Sequence, residues 1–272
     1  MLASEYVHWV ERAALCTEGA LGLEQSTPSR TVITEDYVRA SILRGLALSF
    51  PRGADRVLRE SSVGWDAADC VGGHAINGAG RPLQHDAAVA PEPGYASDAG
   101  MALEVKWLTR TSPKSVAQDV WKLALSRSNT AELSALRTYL AVGGTMSDLS
   151  STLTGLRNIG LDLRWSAAGA GADRPRPTTL DLSRTVATPM GAAALRELLK
   201  RGQHFRNPPA CWQKLRASLR WRWVSRVETL RESDAVAWRI VVWELDHRTM
   251  GNSLIDWSSV MPEKGIVCPG TA

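Results

Sequence analysis

Residues 101 to 108 read Met-Ala-Leu-Glu-Val-Lys-Trp-Leu, an apolar run interrupted by two opposite charges two positions apart. A strand turns over its side chains with period two, so Glu104 and Lys106 emerge on one face while Met101, Leu103, Val105 and Trp107 emerge on the other. Charges on such a strand cost free energy unless they are paired or hold a metal. The segment therefore carries either a structural ion pair or a catalytic site, and the rest of the chain must supply what surrounds it.

Upstream, Leu83 to Ala90 forms a second short strand-like run carrying Asp86. Between the two lies Pro91 to Gly100, a stretch of turn formers able to return the chain as an antiparallel hairpin and set Asp86 beside Glu104 and Lys106. Asp98 is a rival acid, less suited by its loop setting. An acid on one strand followed by Glu-x-Lys at the end of the next resembles the active-site signature of the PD-(D/E)xK nuclease superfamily. His85 departs from it, standing where the signature usually carries proline. The resemblance covers roughly residues 34 to 144 and implies an α/β (α+β) fold: a restriction-endonuclease-like mixed central sheet flanked by helices.

The resemblance also assigns roles. Asp86 and Glu104 would bind Mg²⁺, with Mn²⁺ as a substitute, and Lys106 would orient the attacking water. A further acid would come from Glu35, before the sheet, or from Glu60, on the strand preceding Asp86. Glu35 also has an ordinary explanation as a first-turn residue complementing a helix dipole. Gln118, Asp119 and Lys122 are similar to polar residues that the following helix lends to such sites, or else belong to a plain helix surface. Catalytic candidates are thus Asp86, Glu104, Lys106, Glu60, Glu35 and Gln118. The chemistry is coherent: hard oxygen ligands hold the ion, and a lysine stabilises a deprotonated water and the charge of the transition state. DNA is the implied partner. Cutting both strands of a duplex usually takes two sites, so a homodimer is expected.

Periodicity places the remaining elements. Ser4 caps a first helix running to about Cys16, and Thr34 caps a second from Glu35 to about Ser49, with Val38, Ile42 and Leu46 along one side. Asp55 to Val63 reads as a first strand, and the Gly-rich segment 64 to 81 as a loop without the lysine of a phosphate-binding loop. Ser112-Pro113 starts a helix to about Arg127; Leu136 to Val142 is a strand closed by Gly143-Gly144; Ser147 opens a helix ended by Gly160. Leu161 to Trp165 would be a last strand of this nuclease-like unit, residues 1 to 165. After the Ala-Gly-rich segment 166 to 179, a C-terminal α+β subdomain is expected over 178 to 272, offering a surface for a protein partner. It contains a strand from Leu180 to Val186, a helix from Thr188-Pro189 to Gly202, and strands at 215 to 223 and 235 to 245. In the first of these last two, Arg216, Arg220 and Arg222 alternate with apolar residues. With Lys122 they are candidates for a phosphate backbone, or simply a solvated basic face.

Composition sets the outer bounds. The chain has 272 residues and a formal charge of +4, which permits nucleic-acid binding without requiring it. Four scattered cysteines form no CxxC pair, no apolar run reaches a membrane span, and the charged N-terminus does not resemble a secretory leader, so a cytoplasmic protein with reduced thiols and no membrane contact is expected. Most of the 11 tryptophans are assigned to the core.

Overall fold

The computed structural model describes residues 3–26, 33–49, 54–61, 84–90, 100–128, 137–164, 178–201, 214–226 and 237–247. Among the described residues, six α-helices and seven strands follow in the order α1 (Ala3–Ser26), α2 (Glu35–Ser49), β1 (Val57–Ser61), β2 (His85–Val89), β3 (Met101–Leu108), α3 (Pro113–Ser128), β4 (Arg137–Thr145), α4 (Met146–Asn158), β5 (Thr178–Asp181), α5 (Leu182–Val186), α6 (Pro189–Arg201), β6 (Lys214–Arg226) and β7 (Ala237–His247). The fold is mixed α/β.

All seven strands join one sheet in the order β1-β2-β3-β4-β7-β6-β5. β3 and β4 are parallel and the other neighbours antiparallel. A parallel pair needs a long crossover, which α3 supplies. Of the residues read as a C-terminal subdomain, β5, β6 and β7 are thus built into the same sheet: β7 pairs with β4 along eight positions, from Thr138↔Leu245 to Thr145↔Trp238.

Two apolar layers cover the sheet. On one face α1 and α2 pack over Met101, Leu103, Val105 and Trp107 of β3, together with Tyr139, Ile240 and Val242. On the other, α3, α4 and α6 pack over Ala102, Leu108, Leu140, Val142, Val241 and Trp243. The alternation of β3 therefore sends its large apolar side chains to the α1/α2 layer, as its sequence requires. Trp107, Trp121 and Trp243 lie in these cores, and the indole of Trp243 donates to the carbonyl of Arg164 at 2.9 Å.

Several boundaries differ from the sequence reading for identifiable reasons. α1 continues past Cys16 to Ser26, because Thr17 and Leu21 stay buried on the same side as Val10 and Ala14. A Cβ at Gly45 would come within 2.7 Å of the Ala13 Cα, so that glycine sets the close approach of α1 and α2. β4 runs through Gly143-Gly144 instead of ending there. A Cβ at Gly143 would lie 2.6 Å from the Trp107 ring, so the glycine admits the indole. Residues 161–164 are not a strand, and Trp165 lies outside the described residues. Leu182 to Val186 is a short helix, since Leu182 and Val186 dock on the α3/α6 side at a spacing of four.

Candidate functional site

The ladder between β2 and β3 runs from Val89↔Met101 to Ala87↔Leu103. At the next residue of β2 a side chain replaces the backbone: Oδ2 of Asp86 accepts the Val105 N–H at 2.8 Å. Its other oxygen, Oδ1, faces Arg39 Nη2 at 3.2 Å. Burial raises the Asp86 pKa, and the nearby Glu104 raises it further, to about 6 against an ordinary 3.8.

Glu104 is 1% exposed and has a donor on each oxygen. His85 Nδ1 lies 2.6 Å from Oε1, and Lys122 Nζ lies 2.8 Å from Oε2. Burial alone would raise the Glu104 pKa, but Lys122 and His85 together outweigh it and hold the carboxyl below its usual range. His85 is fully buried, which pushes its pKa down, so the neutral ring donates its Nδ1–H to the carboxylate. This histidine, read from sequence as a departure from the superfamily pattern, has become a partner of Glu104.

Lys106 emerges two residues on and meets the N-terminus of α2. Thr34 caps that helix, its Oγ1 accepting the Tyr37 N–H at 3.2 Å, and this fixes Glu35 at the first turn. Glu35 Oε2 sits 3.0 Å from Lys106 Nζ and accepts the Trp107 N–H at 3.3 Å. Burial disfavours the ammonium, yet Asp119 and Glu35 outweigh it and raise the Lys106 pKa. Arg39, one turn along α2, joins Glu35 and Asp86, standing 3.2 Å from each. Asp119 of α3 completes the group. Its Oδ2 is shut away from solvent with no hydrogen-bond partner among the described residues. Burial, then the charge of Glu104, raises its pKa well above the ordinary value.

The structure therefore gathers Asp86, Glu104, Lys106, Glu35 and Lys122. Glu60 and Gln118 have other partners, and the side chains of Arg216, Arg220 and Arg222 lie outside what the structure describes. Glu60 stands across from Asp86 in the β1/β2 register, between Arg59↔Ala87 and Ser61↔His85, but its side chain is 43% exposed and lies 3.8 Å from Arg59, and its φ of 50° is left-handed. Gln118 donates its amide to Glu197 of α6 at 2.8 Å, beside a Lys114–Glu197 ion pair, and so fastens α6 to α3. Lys122 is occupied by Glu104 and only 14% exposed, a poor position for a DNA backbone. In β6 the register shifts between Leu219 and Trp221, setting Arg216 opposite Asp246 but Arg222 opposite Val241. The bulge breaks the strict two-residue alternation on which the reading of a single basic face rested. Asp98 lies outside the described residues.

Sequence reasoning assigned nothing to Arg39. Its only signal was the i,i+4 spacing from Glu35, which any helix surface pair shares.

As a test of fit for a hard divalent cation, the donor set offers two neighbouring carboxylates. Among the described residues no group of three or more His, Cys, Asp or Glu is arranged to hold a metal. The raised pKa of Asp86 is the mark of two acids crowded out of water, which a cation would relieve. Two carboxylates with water in the remaining positions are a sufficient set for Mg²⁺. No helix among the described residues is long and apolar enough to cross a membrane. No protein-family model, no curated protein and no solved structure matches the chain.

Proposed function

We propose that the chain is a metal-dependent phosphodiesterase acting on DNA, related to the PD-(D/E)xK nucleases. Restriction, phage defence and DNA processing are the contexts that such a resemblance implies. The observation that carries this reading is the convergence of Asp86 from β2, Glu104 and Lys106 from β3, and Glu35 from the start of α2 at one end of the β2/β3 pair. Asp86 and Glu104 are the residues that would hold Mg²⁺ or Mn²⁺, and the bound ion would supply Lewis-acid stabilisation of the phosphoryl oxygens.

The protein's own contribution is positional. Asp119 and Glu35 keep the Lys106 ammonium charged, and Glu35 holds it in place, where it would orient water and counter the charge of the transition state. Lys122 and His85 keep Glu104 ionised despite its burial, which is the form a cation requires. The Val105 N–H fixes the rotation of the Asp86 carboxylate.

A second reading is a binding module that keeps the fold and lacks the chemistry. The observation favouring it is that both oxygens of Asp86 and both of Glu104 already have protein donors. Incubating plasmid DNA with wild type and with Lys106→Ala, in Mg²⁺ or Mn²⁺ and in EDTA, separates the two. Metal-dependent cleavage lost in the variant is expected; retarded migration without cleavage would establish the binding module instead.

A further inference from the structure

The two donors on Asp86 are unequal. The Val105 N–H is a backbone group inside the sheet at 2.8 Å. Arg39 reaches across from a separate layer at 3.2 Å, long for a charge-assisted contact. Its guanidinium is also spread thinly: Nη2 is shared between Glu35 and Asp86, and Nη1 lies 3.3 Å from Asp36. The Nε–H is buried with no acceptor among the described residues. A guanidinium has five N–H donors in a planar fork that matches a carboxylate or a phosphate, so this one has donors left over. The side chain is 15% exposed and cannot satisfy them freely from water.

We infer that Arg39 is an exchangeable counter-cation: it occupies Asp86 when no metal is bound, and is displaced onto a phosphate oxygen of the substrate when one is. The inference rests on the reading of the site as a metal-dependent phosphodiesterase and extends it to the residue that grips the scissile phosphate. An ion and a guanidinium compete for the same carboxylate, so metal entry must loosen the Arg39–Asp86 contact. Glu35 then retains Arg39 through the same Nη2, 3.2 Å from its Oε1, next to Lys106, and the donors released from Asp86 become available to the phosphate. In this scheme one arginine keeps the site closed to stray cations and afterwards supplies a phosphate clamp.

The test is Mn²⁺ binding, followed by electron paramagnetic resonance of the free ion, beside turnover of bis(p-nitrophenyl) phosphate, a diester too small to use remote contacts. Arg39→Gln is expected to bind Mn²⁺ about tenfold more tightly than wild type, the scale of one lost charge-assisted contact, while its turnover falls and its KM rises. Arg39→Lys retains a charge without the fork, so it should bind Mn²⁺ close to wild type yet recover only part of the turnover. It also serves if the glutamine variant fails to fold. Unchanged or weaker Mn²⁺ affinity in Arg39→Gln, or full turnover in Arg39→Lys, would overturn the inference while leaving the metal-dependent reading intact. If wild type itself binds no Mn²⁺ and turns over no diester, both fall together.

Discussion

Glu35 and Lys106 come from different layers of the molecule, yet the carboxylate Oε2 stands 3.0 Å from the ammonium and also receives the N–H of Trp107. The first turn of α2 is therefore fastened to the end of β3 by a side chain that also sets the charge of the candidate catalytic lysine. Because Glu35 stabilises the charged ammonium, Glu35→Gln should lower the Lys106 pKa and move the alkaline limb of any metal-dependent activity to lower pH. The contact is partly exposed, so stability should change by no more than about 1 kcal/mol. An unmoved alkaline limb would remove Lys106 from the chemistry.

Asp86 has a distinct pH signature. Its folded pKa, about 6, lies above the ordinary 3.8, so the folded state holds the proton more tightly. The acid thus opposes folding above pH 6, and that cost is relieved as pH falls from about 6 toward 3.8. The full difference is worth roughly 3 kcal/mol. Asp86→Asn, which mimics the protonated form, should be more stable than wild type at pH 8 and lose this advantage near pH 4. Urea denaturation across that range measures it. Added Mn²⁺ should stabilise wild type and not the variant; equal stabilisation of both would remove Asp86 from the cation site.

Glu104 behaves in the opposite sense. Its folded pKa is depressed, so its contribution is present above the ordinary 4.5 and is lost as pH falls through the folded value. Glu104→Leu strands the mostly buried Lys122 without its partner and should cost about 3–5 kcal/mol. The double variant Glu104→Leu, Lys122→Met should be more stable than Glu104→Leu alone. Additive losses in a double-mutant cycle would show that the pair is not energetically linked.

Gly143 tests the fold independently of the chemistry. A Cβ there would lie 2.6 Å from the Trp107 ring, so Gly143→Ala should destabilise by about 1–3 kcal/mol through overpacking. Trp107→Leu in the same chain should recover part of that loss. No recovery would mean the strain arises elsewhere.

Much of the site's framework was legible from residue order. The alternation of β3, the cap at Thr34 and the helix opening at Pro113 are local signals, and each element formed where its side chains required. Local signals could not choose between Glu35 and Glu60. That Glu35 is the one paired with Lys106 followed from the first turn of α2 meeting the end of β3, while the Glu60 side chain is left half-exposed on the edge strand β1. Nor could they anticipate His85 on Glu104, since a strand position says which face a residue leaves from and not which partner awaits it.

The sequence by itself determined most of the elements and placed the acids and a lysine on two short strands, because periodicity and capping act within a few residues. Tertiary structure alone decided that β5, β6 and β7 extend the same sheet, that Gln118 is drawn to Glu197, and that Arg39 reaches Asp86. Those outcomes depend on contacts between residues far apart in the chain, whose free energies are set by burial and mutual distance and leave no local pattern to read.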